Sequence, residues 1–213
     1  MASTSRPNNT RRIYCAGPLF NESERNFMSS LGAHIRTGGV FDTFVPHEDG
    51  LEFANLLEPL KSFGVDETKS KQLLSAAIFA LDLYMVIQGC DGLVANLNGR
   101  VPDEGTIVEA TTAFILGKPL VLYKDDSRSL LEGADNPMVL GMTGGKVVAR
   151  LEDVREVLSK AFEDSPPRKA APSLPQDIVH TLEVGEHLRS ALLSSSGVQQ
   201  IAGIIVHFAA RLA

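Results

Sequence analysis

Residues 90–123 read CDGLVANLNGRVPDEGTIVEATTAFILGKPLVLY, and this stretch decides the fold. An apolar run at 92–97 is followed by a polar loop and by a helix-forming segment, 103–116, which Gly117 ends. A second apolar run, 119–123, comes directly after it. Strands that are apolar along their whole length and joined by a helix are typical of a parallel sheet covered on both faces. The stretch therefore predicts a strand–helix–strand unit of an α/β protein.

The same alternation extends to both sides of this stretch. Short apolar runs again precede segments whose apolar side chains recur at helical spacing. The further predicted strands are 13–20, 41–45 and 146–149, and the further predicted helices are 22–35, 71–87 and 151–162. Together these elements predict an α/β sandwich around a mainly parallel sheet of five strands. In such a sheet the loops that follow the strands share one rim, where ligands bind.

The remaining segments suggest how the chain is divided. We expect a disordered arm at 1–11, a catalytic domain at 12–164, a Pro-rich linker at 165–175 and a helical extension at 176–213. The last apolar segment of the extension needs a partner surface, either on the domain or between subunits. Residues 46–70 are polar and interrupted by Pro59 and Gly64, so we expect a long loop that acts as a lid or a binding segment.

Composition excludes several classes of function. The net charge of −6 disfavours a nucleic-acid polymer as a partner, because binding one usually needs a basic stripe. The N-terminus has no apolar signal-peptide core, and no stretch approaches the roughly 20 apolar residues of a membrane span. We therefore expect a cytoplasmic protein that does not contact a membrane. Cys15 and Cys90 lie in apolar runs and are predicted to be buried thiols without metal.

Two carboxylates, Asp103 and Glu109, lie six residues apart where the loop after the 92–97 strand enters a helix. Both can face the rim. Paired carboxylates suit glycosidic chemistry, in which one attacks the anomeric carbon and the other moves a proton. The spacing alone leaves another interpretation open. Acidic residues are common at helix starts, so Asp103 and Glu104 are also explained as an N-cap and a first-turn residue.

Other candidates are weaker when taken singly. Gly17 and Pro18 end the first strand and allow close backbone approach to a ligand, although a plain turn explains them as well. Asp82 interrupts an apolar helix and needs either solvent or a partner. His47 follows the second predicted strand and could touch a ligand, but a surface histidine is the simpler interpretation. Asn136 precedes Pro137, as turn residues often do.

Four pieces in this order and spacing resemble the nucleoside 2'-deoxyribosyltransferase family over roughly residues 12–162. IYCAGPLF at 13–20 looks like its first strand and glycine turn. The block 90–123 looks like its centre, where an Asp precedes the nucleophilic Glu by six residues. DNPM at 135–138 resembles its late Asn-x-Met element. The resemblance implies a flavodoxin-like three-layer fold and an oligomer whose sites are shared between subunits. It implies no metal and no organic cofactor.

The resemblance also implies roles for single residues. Glu109 would attack C1' of the deoxyribose, Asp103 would exchange a proton near the base, and Tyr14 would orient Glu109. Asn136 and Met138 would reach the neighbouring subunit's site and touch the sugar's 5' side. The residues that would contact substrate elsewhere are Gly17, Phe20, Asp82, and His47 or Asp49, with Glu48 as a further candidate.

These roles predict transfer of 2'-deoxyribose from a deoxynucleoside to a free nucleobase, with retention at C1', as in nucleotide salvage. One rival is hydrolysis of the deoxynucleoside or of its 5'-monophosphate, where Arg100, Ser127 and Arg128 could hold a phosphate. A rival from another class is a non-catalytic nucleotide-binding module on the same fold. A scaffolding role for the C-terminal helices is a third alternative.

Overall fold

Four short apolar runs pair into a parallel sheet. The computed structural model describes residues 10–128, 135–165 and 173–212. Within them the strands are β1 (Arg11–Ala16), β2 (Phe41–Phe44), β3 (Gly92–Asn96) and β4 (Leu120–Tyr123). They lie in the order β2-β1-β3-β4, which is the order of the first four strands of a flavodoxin-like sheet. Every residue of β3 is buried, as a strand covered on both faces requires. The predicted α/β class is confirmed.

The predicted fifth strand at 146–149 is wrong, because the described sheet has four strands. Only Val148 reaches the sheet, where it forms an isolated parallel bridge with Tyr123. The Val148 N–H donates to the Leu122 carbonyl over 2.8 Å, and the Lys124 N–H donates to the Val148 carbonyl over 2.8 Å. The left-handed Gly144 and Gly145 precede this bridge and a 3₁₀ turn begins at Leu151, so the extended run is too short to form a strand.

Helices connect the strands and make up the rest of the described chain. The α-helices are α1 (Glu22–Arg36), α2 (Pro46–Asp49), α3 (Phe53–Ser62), α4 (Glu67–Tyr84), α5 (Glu104–Ile115), α6 (Pro137–Leu140), α7 (Val154–Asp164), α8 (Gln176–Leu193), α9 (Val198–His207) and α10 (Ala209–Leu212). A π-helical segment, Met85–Gly89, continues α4. Asn21 and Glu24 form a capping box at the start of α1, and left-handed Gly38 and Gly39 follow its end.

Alternation along β1 separates two faces of the sheet. Ile13 and Cys15 belong to a buried apolar cluster with side chains of α1 and α7. Tyr14 lies between them in sequence, so its side chain is on the opposite face. That face carries α5, which packs on β3 and β1. Because of this period of two, a tyrosine within an apolar strand meets the helix that carries Glu109.

The chain forms two compact units, and each contains separated stretches of sequence. The first comprises Met1–Val45 and Gly89–Lys169, and the second comprises Pro46–Gln88 and Ala170–Ala213. The sheet, α1, α5, α6 and α7 belong to the first unit. The assignment of residues 12–164 to a single catalytic domain stays a prediction. The predicted arm at 1–11 and linker at 165–175 fall mostly outside the described residues, although Arg11 already begins β1.

The second unit consists of helices that pack on one another. Residues 46–70 contain α2, α3 and the start of α4, so the predicted long loop is wrong. Pro59 lies inside α3, whose buried Leu56 and Leu60 show that packing outweighs the low helix propensity of proline. The apolar C-terminal segment finds its partners within this unit, where α8 packs on α4 and α9 packs on α3.

Two helices of the second unit approach each other closely at Gly185 of α8. A Cβ atom there would lie 2.2 Å from the Ala80 carbonyl oxygen and 2.5 Å from the Tyr84 Cβ of α4. Only glycine allows this contact, which brings the two backbones together. Of the described residues, Glu67–Gly89 is one helical stretch long and apolar enough by composition to cross a membrane, contrary to the sequence expectation. Buried helices of soluble proteins share that property.

Candidate active site

The carboxyl ends of β1, β3 and β4 meet at one edge of the parallel sheet. The loop after β1 contains Gly17, and the loop after β3 leads through Asn98 to Asp103. The loop after β4 begins at Lys124. Because parallel strands place the loops that follow them on the same edge, polar residues in these three loops surround a common region. This is the rim predicted from the sequence.

Asp103 and Glu109 belong to the start of α5. Asp103 is the N-cap, and its Oδ2 accepts from the Thr106 N–H over 2.8 Å and from the Thr106 hydroxyl over 2.9 Å. Glu109 is about 7.5 Å farther along the axis than Glu104, at 1.5 Å of rise per residue. The Asp103 side chain does cap the helix, as the simpler interpretation of the sequence held. Its part in proton transfer stays a prediction.

A hydrogen bond to Glu109 comes from β1. The Tyr14 hydroxyl donates to Glu109 Oε1 over 2.6 Å. Tyr14 has no solvent exposure, and its ring stacks on Phe44 of β2 with 5.5 Å between centroids. Glu109 is partly exposed. A phenol fixed by packing therefore holds one carboxylate oxygen, and a short hydrogen bond to an ionised group is among the stronger kinds.

Gly17 allows α1 to lie close to the end of β3. A Cβ at Gly17 would lie 2.4 Å from Met28 Sδ and 3.1 Å from Asn96 Cβ. This packing accounts for the glycine without a ligand, and a contact with substrate stays a prediction. Phe20 is 78% exposed, and its N–H donates to Glu24 Oε2 over 2.8 Å. The Phe20 ring is thus a free apolar surface beside the N-terminus of α1.

A polar clamp joins the loops after β3 and β4, and the sequence reading missed it. Asn98 Nδ2 donates to Asp125 Oδ1 over 2.7 Å, while Asn98 Oδ1 accepts from the N–H groups of Asp125 and Asp126 over 3.1 and 3.2 Å. The Gly99 N–H donates to Asp126 Oδ2 over 3.1 Å. Asn98 lies two residues after β3, and Asp125 lies two residues after β4. This equal placement after two strands could have predicted from the sequence that the two residues lie close together.

The guanidinium of Arg128 is engaged within the chain. Its Nε donates to both oxygens of Asp126 over 2.9 and 2.8 Å, and its terminal nitrogen donates to Asp126 as well. The side-chain hydrogen bond from Arg128 holds the pKa of Asp126 well below its usual range. The positive charge of Arg128 is therefore balanced by Asp126, so the structure offers no support for Arg128 as a phosphate ligand.

Asn136 and Met138 lie on a short helical turn in the same unit. Asn136 is the N-cap of α6, and its Oδ1 accepts from the Met138 N–H over 2.9 Å. Met138 is 83% exposed. Directly before them, Asp135 forms a buried ion pair with Lys124 over 2.5 Å. Methionine side chains are usually buried, so the exposure of Met138 on this turn is unusual.

The model of one protein family, described as nucleoside 2-deoxyribosyltransferase, matches residues 13–163. The chain belongs to this family. Its role is accordingly deoxyribose transfer or a related N-glycosidic cleavage on small nucleoside substrates. The match to the nucleoside 2-deoxyribosyltransferase model includes residues 13–16 of β1 and the whole of α5 and α6, and it ends within α7. Residues 164–213 lie outside it.

A solved structure adds a fold comparison. The crystal structure of a conserved protein from Enterococcus faecalis V583 is 25% identical in sequence and superposes with a TM-score of 0.54. The similarity covers 71% of this chain and 98% of that chain. No curated protein matches the chain.

The remaining candidates for substrate binding belong to the second unit. His47, Glu48 and Asp49 lie in α2, and the partly buried Asp82 lies in α4. The Asp49 carbonyl accepts from Arg189 of α8 over 3.2 Å. Their contact with substrate stays a prediction. No group of three or more His, Cys, Asp or Glu suited to a metal ion occurs in residues 10–128, 135–165 and 173–212.

Proposed function

We propose that this protein transfers 2'-deoxyribose between nucleobases through a covalent intermediate on Glu109. The observation that carries the proposal is the 2.6 Å hydrogen bond from the buried Tyr14 hydroxyl to Glu109 Oε1. It orients the carboxylate for attack on C1'. Family membership supports the sugar chemistry.

The reaction proceeds in two displacements. In the first, a carboxylate oxygen of Glu109 forms a bond to C1' while the bond from C1' to the base nitrogen breaks, and the electron pair leaves with the base. Asp103 passes a proton to the departing base. In the second, a nitrogen of another base attacks C1', the bond to Glu109 breaks, and the incoming base returns its proton to Asp103. Two inversions give net retention at C1'.

Other residues complete the proposed site. Gly17 and Phe20 contact the sugar or the base, and Asp82, His47 and Asp49 stay candidates for substrate contact. Asn136 and Met138 serve the site of a neighbouring subunit in a homo-oligomer, and the exposure of Met138 is consistent with that role. The reaction needs neither a metal nor an organic cofactor. The family consists of soluble enzymes, which supports a cytoplasmic location.

The direct test uses a panel of 2'-deoxynucleosides, each incubated with a different free base and analysed by chromatography. We expect an exchanged nucleoside, and Glu109→Gln should reduce its formation by roughly 10⁴-fold or more. Glu104→Gln is the matched control, since Glu104 is an exposed glutamate in the first turn of the same helix. Exchange at the normal rate by Glu109→Gln would contradict the mechanism.

The same assay separates the rivals. Base release that is equally fast without an acceptor base identifies a hydrolase. Ligand binding without base release identifies a nucleotide-binding module, in which Glu109→Gln would leave the ligand response unchanged.

The sharing of sites between subunits has its own test. Chains with Glu109→Gln and chains with Met138→Ala are unfolded together, refolded as a mixture and assayed. A hybrid site with Glu109 from one chain and Met138 from the other should raise the activity above the average of the two separate preparations. Activity equal to the average of the two separate preparations would contradict sharing.

A further inference from the structure

A buried ion pair joins the end of β4 to the start of the Asn136–Met138 turn. Lys124 follows β4 directly, and its Nζ lies 2.5 Å from Asp135 Oδ1. The two side chains are only 6% and 8% exposed. The sequence did not predict the pair: Asp135 entered only as the first residue of DNPM, and a lysine and an aspartate eleven positions apart carry no pattern. Asp135 is followed immediately by Asn136.

Stability alone does not explain this pair. Removing two charges from water is costly, and a well-packed apolar pair of similar volume usually stabilises a protein at least as well. What an ion pair adds is a fixed distance and direction, whereas apolar side chains slide past one another. The ion pair therefore contributes mainly by fixing the position of the segment that begins at Asp135.

The ion pair connects the sheet to α6, so the position of Lys124 determines the position of α6. The backbone of Lys124 is held by its N–H bond to the Val148 carbonyl, so its end of the pair is fixed to the sheet. On the other side, the Asn136 carbonyl accepts from the N–H groups of Val139 and Leu140 over 2.9 and 3.0 Å. A shift of Asp135 would move the cap and α6 together.

We propose that Lys124, acting through Asp135, is a positioning residue that sets where Asn136 and Met138 meet the substrate. The inference rests on the proposed function, because that function assigns substrate contact to these two residues. The ion pair determines substrate affinity without touching the substrate. Lys124 lies at the carboxyl end of β4, on the rim where the site is built.

The test replaces both charges together. Lys124→Met with Asp135→Leu leaves no uncompensated buried charge, so the chain is expected to remain folded, with a melting temperature near that of the wild type. Its KM for the deoxynucleoside should rise by roughly 10- to 100-fold while kcat changes less, since small misplacements of a positioning group have effects of this order. Lys118→Met is the matched control.

Lys118 is also a buried lysine, and it precedes the same strand at its other end. Its Nζ donates to the Cys90 carbonyl over 2.5 Å. Its loss should lower stability and leave KM unchanged. A folded double variant with wild-type KM would overturn the proposal. An equal rise of KM in Lys118→Met would overturn it too, because the effect would then follow from losing any buried lysine near β4.

A second measurement does not depend on the reaction. Amide hydrogen exchange at Met138, Val139 and Leu140 should accelerate in the double variant, while the Leu97 amide, which bonds the Tyr123 carbonyl over 2.8 Å, should keep its rate. Unchanged exchange in α6 would overturn the proposal whatever the enzyme assay gives. A wild-type protein that turns over no deoxynucleoside would count against the proposed function alone.

Discussion

The two units of the chain are built in different ways. In the first, successive strands and helices follow one another along the sequence, and polar residues gather at one edge of the sheet. The second is made of helices from two stretches, Pro46–Gln88 and Ala170–Ala213, that the whole of β3 to α7 separates. The first unit holds Tyr14 and Glu109, whereas the second holds the close contact of α8 with α4 at Gly185.

The family match divides the chain differently from the two units. It runs from 13 to 163 and so includes residues 46–88 of the second unit. The C-terminal helices lie outside the match, yet they pack on α3 and α4, which lie inside it. We infer that the extension covers apolar surface of a segment shared with the family. The predictions below compare the polar edge of the sheet, which carries the candidate active site, with the packed helices of the second unit.

The largest effect is expected at Gly185. Gly185→Ala places a methyl group against the Ala80 carbonyl, and overpacking of this kind should destabilise the protein by about 3 kcal/mol. Gly203→Ala makes the same change in α9, where the nearest atom to the new Cβ is 3.5 Å away. It should stabilise the protein by about 0.5–1 kcal/mol, because alanine favours helix. Chemical denaturation measures both. Equal effects would show that the α4–α8 contact is not close-packed.

Tyr14→Phe tests the hydrogen bond to Glu109 at the polar edge of the sheet. The ring still stacks on Phe44, but the hydroxyl that holds Glu109 is lost. A hydrogen bond to a charged group contributes about 1.5–3 kcal/mol, so kcat/KM should fall by roughly 10- to 100-fold with little loss of stability. Tyr123→Phe is the control, since Tyr123 is equally buried and its ring likewise stacks on a phenylalanine, Phe27. If both variants lose activity alike, the Tyr14 contact has no special role.

The smallest effect is expected at the Asp126–Arg128 pair. The pKa of Asp126 is lower in the folded protein than in the unfolded chain, where it lies near 4. The pair therefore stabilises the protein fully at pH values above the unfolded pKa. This stabilisation is lost as the pH falls through the folded pKa. Wild type should therefore melt slightly above Asp126→Asn at pH 7 and 5. The difference should vanish in stronger acid. A difference that grows on acidification would reverse the assigned sign.

The sequence predicts the first unit well where local pattern decides the structure. Continuous apolar runs identify β3 and β4, and apolar residues at helical spacing over 22–35 identify α1, because strand burial and helix periodicity are visible in neighbouring residues. The predicted loop at 46–70 fails since the helicity of α3 depends on its packing against α9, far away in the sequence. Val148 fails as a strand because the glycine turn before it shortens the run.

The candidate site divides along the same line. The residue types and spacing of Asp103 and Glu109 singled out the start of α5, and the family resemblance supplied Tyr14. The Asn98 clamp and the Lys124–Asp135 pair could not be read in advance, since each joins loops that only the sheet order brings together. Their partners depend on which strand is next to which.

The most direct test of the central claim is to quench the protein after brief mixing with a 2'-deoxynucleoside, without any acceptor base, and to digest it for mass spectrometry. We predict that the peptide containing Glu109 gains the mass of one deoxyribosyl group, and that Glu109→Gln shows no such gain. Base release without any adduct on this peptide, or an adduct on a different carboxylate, would contradict the account.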